Sequence, residues 1–374
     1  MNTLLVRFTI VGLLLTGCGS PPAPISTSPP PKATSTLPAP TFTLTLTATP
    51  TLPPSAIPES LPISAEASAY LEEALHVIQE NSLYRDSIDW VTLRDSVFKM
   101  AEHAQTPADT YGAIRYALSQ LGDHHSHFLT PDSAVEVEQA TADDSPPPRG
   151  KLMLDKLGFV AIEGFGSAIP EEQSNYAAAI QQLIRDLDAQ EPCGWIVDLR
   201  ENTGGNMWPM LAGLGPIVGE GEVGAFIFPD GRQEIWSYQN GQALLEEQVI
   251  AEGNGAAYEL RAVSPPVAVL TGVNTASSGE AIVVAFRGRP DTRSFGLYTT
   301  GVPTANGVFP LSDGAWIILT GAVYADRTGQ TYDDRIYPDE LVDEVQNYTF
   351  IEDEAIPQPA LDWLLSQPAC AGMQ

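Results

Sequence analysis

Apolar positions along this chain change period twice. From Ala65 to Leu121 they recur every three or four residues in three blocks, roughly Ala65 to Asn81, Trp90 to Ala104 and Pro107 to Leu121. That spacing predicts amphipathic helices. Asp89 and Thr106 stand where N-caps stand, and Gly122 ends the last block. Residues 63–130 are therefore expected to form a small helical domain, with the histidine-rich stretch "DHHSH" on the loop after it. The polar, proline-containing stretch 131–156 reads as a linker. Beyond it, short apolar runs alternate with helical blocks. "LGFVAIEGF" reads as a strand, "PEEQSNYAAAIQQLIRDLDA" as a helix and "GWIVDLR" as a strand buried on both faces. "GNMWPMLAGL" is a second helix, "VGAFIFP" and "QEIWSY" a hairpin, and "PVAVLT" another buried strand. "SGEAIVVAFRG" is a helix, and "SFGLYT" and "AWIILTGAVYA" are strands. This alternation predicts an α/β domain over 157–374 with crossover connections, and chemistry where strand ends meet helix starts.

Residues 1–62 fit neither period. Arg7 precedes an apolar run, Phe8 to Leu15, too short to span a bilayer and followed by small residues, as in a secretory signal. Its end, Leu15-Thr16-Gly17-Cys18, resembles a bacterial lipobox, which makes 1–18 a lipoprotein signal peptide with Cys18 acylated. The alternative is an ordinary signal with a chance cysteine. Residues 19–62 are almost entirely Pro, Ser, Thr and Ala, the composition of an extended, disordered tether. The expected place is the extracytoplasmic face of a bacterial envelope, attached to the membrane through lipid. Net charge agrees with that mode. At −29, from 47 acidic and 18 basic residues, the chain repels nucleic acid and anionic headgroups. Besides Cys18, only Cys193 and Cys370 carry thiols. An oxidising exterior allows one disulfide between them, and two separate buried thiols are the alternative.

Two strand-to-helix junctions carry candidate chemistry. In "VDLRENTGGN" the adjacent glycines, Gly204 and Gly205, let backbone N–H groups approach a ligand before a helix start. In "VLTGVNTASSGEAIVVAF" serines precede a helix N-terminus, where backbone N–H groups can stabilise an oxyanion. Each alone is equally a tight turn or an N-cap. Asp123, His124, His125 and His127 offer metal-ligand chemistry, but they are nearly consecutive and lack the spacing that places zinc ligands on one face. No metal and no organic cofactor is expected.

Taken together and in this order, "VDLRENTGG" and "PVAVLTGVNTASSGEAIV" resemble the serine peptidase family of the C-terminal-processing (tail-specific) proteases and the tricorn core protease. The resemblance extends from about Ala65 to Val345. It implies a crotonase-like core of ββα type, a nucleophile at Ser277 and a supporting Glu280. It also implies oxyanion donors from the N–H groups of Ser278 and of Gly204 or Gly205. Two departures stand out. The space between helices and sheet is too short for a PDZ domain, and Val302 stands where many members place a lysine base. The chain has four lysines, the last at Lys156, so a Ser–Lys dyad on the usual framework is excluded. All five histidines lie at or before residue 127. "DHHS" is similar to the tricorn-type pattern around a catalytic histidine, which implies His125 as base, with His127 in reserve and His124 facing solvent. In tricorn-type members a glutamate acts on the base through a serine. Here Tyr332 takes the acid's place, so Asp333 or Asp334 is expected to serve, with Ser126 as relay. The implied activity is peptide-bond hydrolysis on peptide or protein substrates. The alternatives are an esterase or an inactive ligand- or peptide-binding lipoprotein of the same fold.

Overall fold

The structure, a computed structural model, describes residues 61–140, 145–343, 345–351 and 353–371. Cys18 and residues 19–60 of the expected tether lie outside the described residues. Helix α1 (Ala65–Asn81) is capped by the Ser64 side chain and buries Tyr70, Leu71, Ala74, Leu75 and Ile78, the three-and-four pattern of its sequence. Asp89 caps α2 (Trp90–Met100) by accepting the Thr92 N–H. A 3-10 turn with a Thr106–Asp109 capping box leads into α3 (Tyr111–Ser119). Gly122, at φ 81°, then takes the left-handed conformation that ends the helical run. Strand β1 (His127–Leu129) follows the histidine loop.

The expected linker contains regular structure. Thr130 caps α4 (Pro131–Glu138), and β2 (Arg149–Met153) pairs antiparallel with β3 (Leu157–Ala161) as an edge strand. One strand face and one short helix face are too little apolar surface to register against a polar background. The chain continues through α5 (Pro170–Asp188), β4 (Gly194–Asp198), α6 (Met207–Val218) and the strands β5 (Gly221–Ile227), β6 (Gln233–Gln239), β7 (Gln242–Leu245) and β8 (Gln248–Glu252). It then forms β9 (Val267–Thr271), α7 (Ser278–Phe286), β10 (Thr292–Gly296), β11 (Thr304–Pro310), β12 (Trp316–Asp326), β13 (Thr331–Tyr332) and β14 (Glu340–Leu341). After two short strands come α8 (Gln358–Ser366) and the short α9 (Pro368–Ala371).

One sheet runs β14-β10-β9-β4-β3-β2, parallel except for β2. Every residue of β3, β4 and β9 is buried, as parallel strands covered on both faces require. The second sheet is antiparallel, β1-β12-β5-β6-β7-β8, with β11 and β13 also paired to β12. Helices α6 and α7 are apolar almost all round and join residues of both sheets in one core.

The N-terminal helices do not close a core of their own. Their apolar faces pack on Phe309, Leu311, Ala315, Ile317 and Leu319 of the β11–β12 hairpin. The hydroxyls of Tyr70 and Tyr111 both donate to Asp313 in its turn, at 2.8 and 2.5 Å. The histidine loop is thereby fixed to the sheet domain. At the far end a Cys193–Cys370 disulfide ties the C-terminal segment to the start of β4.

Candidate active site

The junction between β9 and α7 brings Ser277 to the N-cap of α7 with φ 52° and ψ −117°. A non-glycine residue there is strained and persists only when its surroundings over-determine it. Glu280 supplies that constraint. Its buried carboxylate accepts from the Ser277 N–H (2.8 Å), the Thr299 hydroxyl (2.5 Å) and the N–H groups of Gly301 and Val302 (both 3.0 Å). One side chain thus clamps the serine elbow to loop 299–302, where Val302 contributes only its amide. Burial pushes the Glu280 acid up to about 7, while its four donors pull the other way.

The glycine junction packs directly beneath. Asn202 accepts the Ala276 N–H on its carbonyl (2.9 Å) and the Gly204 N–H on its side chain (3.0 Å). The Gly204 donor is therefore spent inside the protein, a correction to its expected role at the oxyanion. The N–H groups of Gly205 and Ser278 have no acceptor among the described residues, and the Ser278 hydroxyl donates to the Gly205 carbonyl at 2.5 Å. Glycine is obligatory in this turn. At φ 102° and 108°, a Cβ on Gly204 would lie 3.0 Å from the Ser277 Cβ, and one on Gly205 would lie 2.1 Å from the Phe165 carbonyl oxygen. The first Asp and Arg of the junction are structural: Arg200 grips Asp198 at 2.9 and 2.6 Å and reaches the Ala355 carbonyl.

His125 arrives from the helical side. Asp123 accepts the N–H groups of His125 (2.9 Å) and Ser126 (2.6 Å) and the Ser126 hydroxyl (2.9 Å). The Asn306 amide and the His127 Nδ1–H both donate to the His125 carbonyl, at 3.1 and 3.0 Å. The imidazole then lies between two hydroxyls, with Nε2 3.0 Å from Ser277 Oγ and Nδ1 2.8 Å from Thr304 Oγ1. Burial, with His127 nearby, pushes His125 down to about 4.

Ser277, His125, Ser278, Gly205 and Glu280 are therefore gathered in one place. His124 is exposed, and His127 turns to a carbonyl and not to the serine. Two expectations are corrected. Asp333 and Asp334 are exposed beyond β13 and neither meets His125, because Nδ1 is already taken by Thr304. Tyr332 is bound to Asp326 (2.7 Å). Ser126 is no relay, since its hydroxyl is held between Asp123 and the Thr320 N–H (3.0 Å). Thr304, Asn306 and Thr299 were not legible as site residues; their only signal is position just before and after Val302. Among the described residues no group of three or more His, Cys, Asp or Glu side chains is placed to hold a metal, and Asp123 is occupied by the donors above.

The Peptidase family S41 profile matches residues 156–342, half of the chain. The chain is 25% identical to the nisin-resistance protein of Lactococcus lactis subsp. lactis over 80% of its own length and 87% of that protein. Its fold is similar to a lipoprotein from Streptococcus agalactiae, with a TM-score of 0.66 at 24% identity, covering 81% of this chain and 97% of that one. It is also similar to a photosystem II D1 C-terminal processing protease, with a TM-score of 0.55 at 17% identity over 75% and 94% of the two chains. At those identities the two structures speak for the fold alone. The profile match, whose span includes both the glycine and the serine junction, decides the family: this chain belongs to peptidase family S41.

Proposed function

We propose that the chain is a serine-type endopeptidase of the bacterial cell envelope. In this reading it is lipidated at Cys18 and held off the membrane by the 19–62 tether. The observation that carries the peptidase reading is the 3.0 Å approach of His125 Nε2 to Ser277 Oγ. The serine hydroxyl gives its proton to Nε2 as Oγ bonds to the scissile carbonyl carbon. The resulting oxyanion is met by the N–H groups of Gly205 and Ser278. The imidazolium then passes its proton to the leaving amine as the C–N bond breaks, leaving an acyl-enzyme that water hydrolyses by the same steps in reverse order. No cofactor enters the balance.

The likeness to a nisin-resistance protein over most of both chains supports a small extracellular peptide as substrate, and nisin is the first to assay. The test is covalent labelling by a fluorophosphonate together with peptide cleavage. Ser277→Ala and His125→Ala should each abolish both, and the double variant should be no worse, because nucleophile and base act as one unit. Full activity in Ser277→Ala sinks the reading. Anchoring is checked separately: Cys18→Ala should move the protein out of the membrane fraction, and a variant that still fractionates as a lipidated protein refutes the lipobox.

A further inference from the structure

For Nε2 to accept the serine proton, the neutral imidazole must carry its own proton on Nδ1, and that proton needs an acceptor. In Ser-His-Asp sites a buried carboxylate fills this position. Here the atom 2.8 Å from Nδ1 is the hydroxyl oxygen of Thr304, a residue 5% exposed at the start of β11. The carboxylate of the same loop, Asp123, is turned to main-chain N–H groups and to Ser126.

The neighbourhood of Thr304 is built to hold that geometry. Its own N–H donates to the Val302 carbonyl at 2.8 Å, which joins it to the loop clamped by Glu280. Between Ala305 and Asn306 the β11–β12 register shifts. The extra residue there is Gly321 of β12, so β11 itself stays regular and its alternation puts Thr304 and Asn306 on one face. Thr304 meets the ring of His125 and Asn306 its carbonyl. The Asn306 amide is itself oriented, because its oxygen accepts the Thr320 hydroxyl at 3.0 Å. Ring and backbone of one residue are thus gripped by two alternate positions of one strand.

We propose that Thr304 is the third member of this site, a neutral positioning residue whose hydroxyl accepts the His125 Nδ1–H and selects the tautomer competent to deprotonate Ser277. The proposal rests on the peptidase reading for its kinetic consequence but not for the tautomer itself. Thr304→Val keeps the side-chain shape and removes the hydroxyl, whereas Thr304→Ser keeps the hydroxyl and removes the methyl. Thr304→Val should lower kcat by at least about tenfold, toward the roughly 10⁴-fold cost of a wrong tautomer, with KM within about twofold. Thr304→Ser should stay within about twofold of the parent in both constants.

Nitrogen NMR of the ¹⁵N-histidine-labelled full chain supplies the second readout. His125 should be protonated at Nδ1 in the parent and in Thr304→Ser, with the Nδ1–H population reduced in Thr304→Val. A Thr304→Val protein with the parental tautomer overturns the proposal, as does a Thr304→Ser protein as impaired as Thr304→Val with its tautomer unchanged. The tautomer is read on free protein. A chain that neither labels nor cleaves therefore removes the peptidase reading, while the spectrum still decides for or against Thr304.

Discussion

Acidification should leave the proposed base, His125, untouched where an ordinary histidine would be lost. Burial takes His125 from the usual 6.5 to about 4. At pH 5.5 an unperturbed imidazole is roughly 90% protonated, but one titrating near 4 is only about 3% protonated. The same displacement is a stability term. Between pH 6.5 and 4 the unfolded chain binds a proton that the folded one refuses, so the unfolding free energy falls as the pH drops through that window. It is undiminished above 6.5. The displacement corresponds to about 3 kcal/mol at its acid end, at roughly 1.4 kcal/mol per unit. His127, also pushed down by burial, acts in the same direction. The assay is ¹⁵N-histidine NMR across pH 7.5 to 4, with His125→Ala to assign the signal, beside denaturant unfolding of both proteins at each pH. His125 should titrate near pH 4, and His125→Ala should lose part of the acid sensitivity of stability. A His125 midpoint near 6.5, or an identical pH dependence of stability in the variant, refutes the reasoning.

Turnover should nevertheless fall on the acid side near pH 7, and the group responsible is Glu280, whose ionised form accepts all four of its donors. In Glu280→Gln, which keeps fewer acceptors and adds an NH₂, that limb should vanish along with most fluorophosphonate labelling; a limb that survives unchanged belongs to another group. Cys370→Ser should cost roughly 2–5 kcal/mol in chemical denaturation, because the bridge closes a span of 177 residues in the unfolded chain. Its effect on labelling should be small, since the bridge lies at the opposite end of β4 from the junction that leads to Gly204.

How much of this was readable in advance depended on whether a segment's surroundings repeat along the chain. Helix α1 was readable to its ends because its period and cap are local. Strands β3, β4 and β9 were readable because burial on both faces writes an unbroken apolar run. Strand β11 was missed. Its sequence, TANGVFP, carries an Asn, a Gly and a Pro, and its register against β12 shifts in the middle. Strands β7 and β8 were likewise too short and too mixed to stand out.

That one missed strand explains what the sequence left dark in the site. The proposed nucleophile and base and the Glu280 clamp sit in contiguous motifs, so Ser277, His125 and Glu280 could be named from their resemblance to the family's motifs. The partner of Nδ1 is 179 positions from His125, on β11. A search for an acid by register along the chain leads instead to Asp333, which is near the right motif but exposed. The structure gives a physical reason to expect no acid there. A carboxylate against Nδ1 would favour the imidazolium and raise the histidine. A hydroxyl brings no charge, and the largest influence on His125 is then desolvation, which lowers it. The Thr304 contact and the depressed titration of His125 are thus two consequences of one choice of neighbour. If Thr304→Asp folds, it should raise the NMR midpoint of His125 by at least about one unit, as an adjacent opposite charge does. An unmoved midpoint would show that something other than the neutral neighbour holds this histidine low.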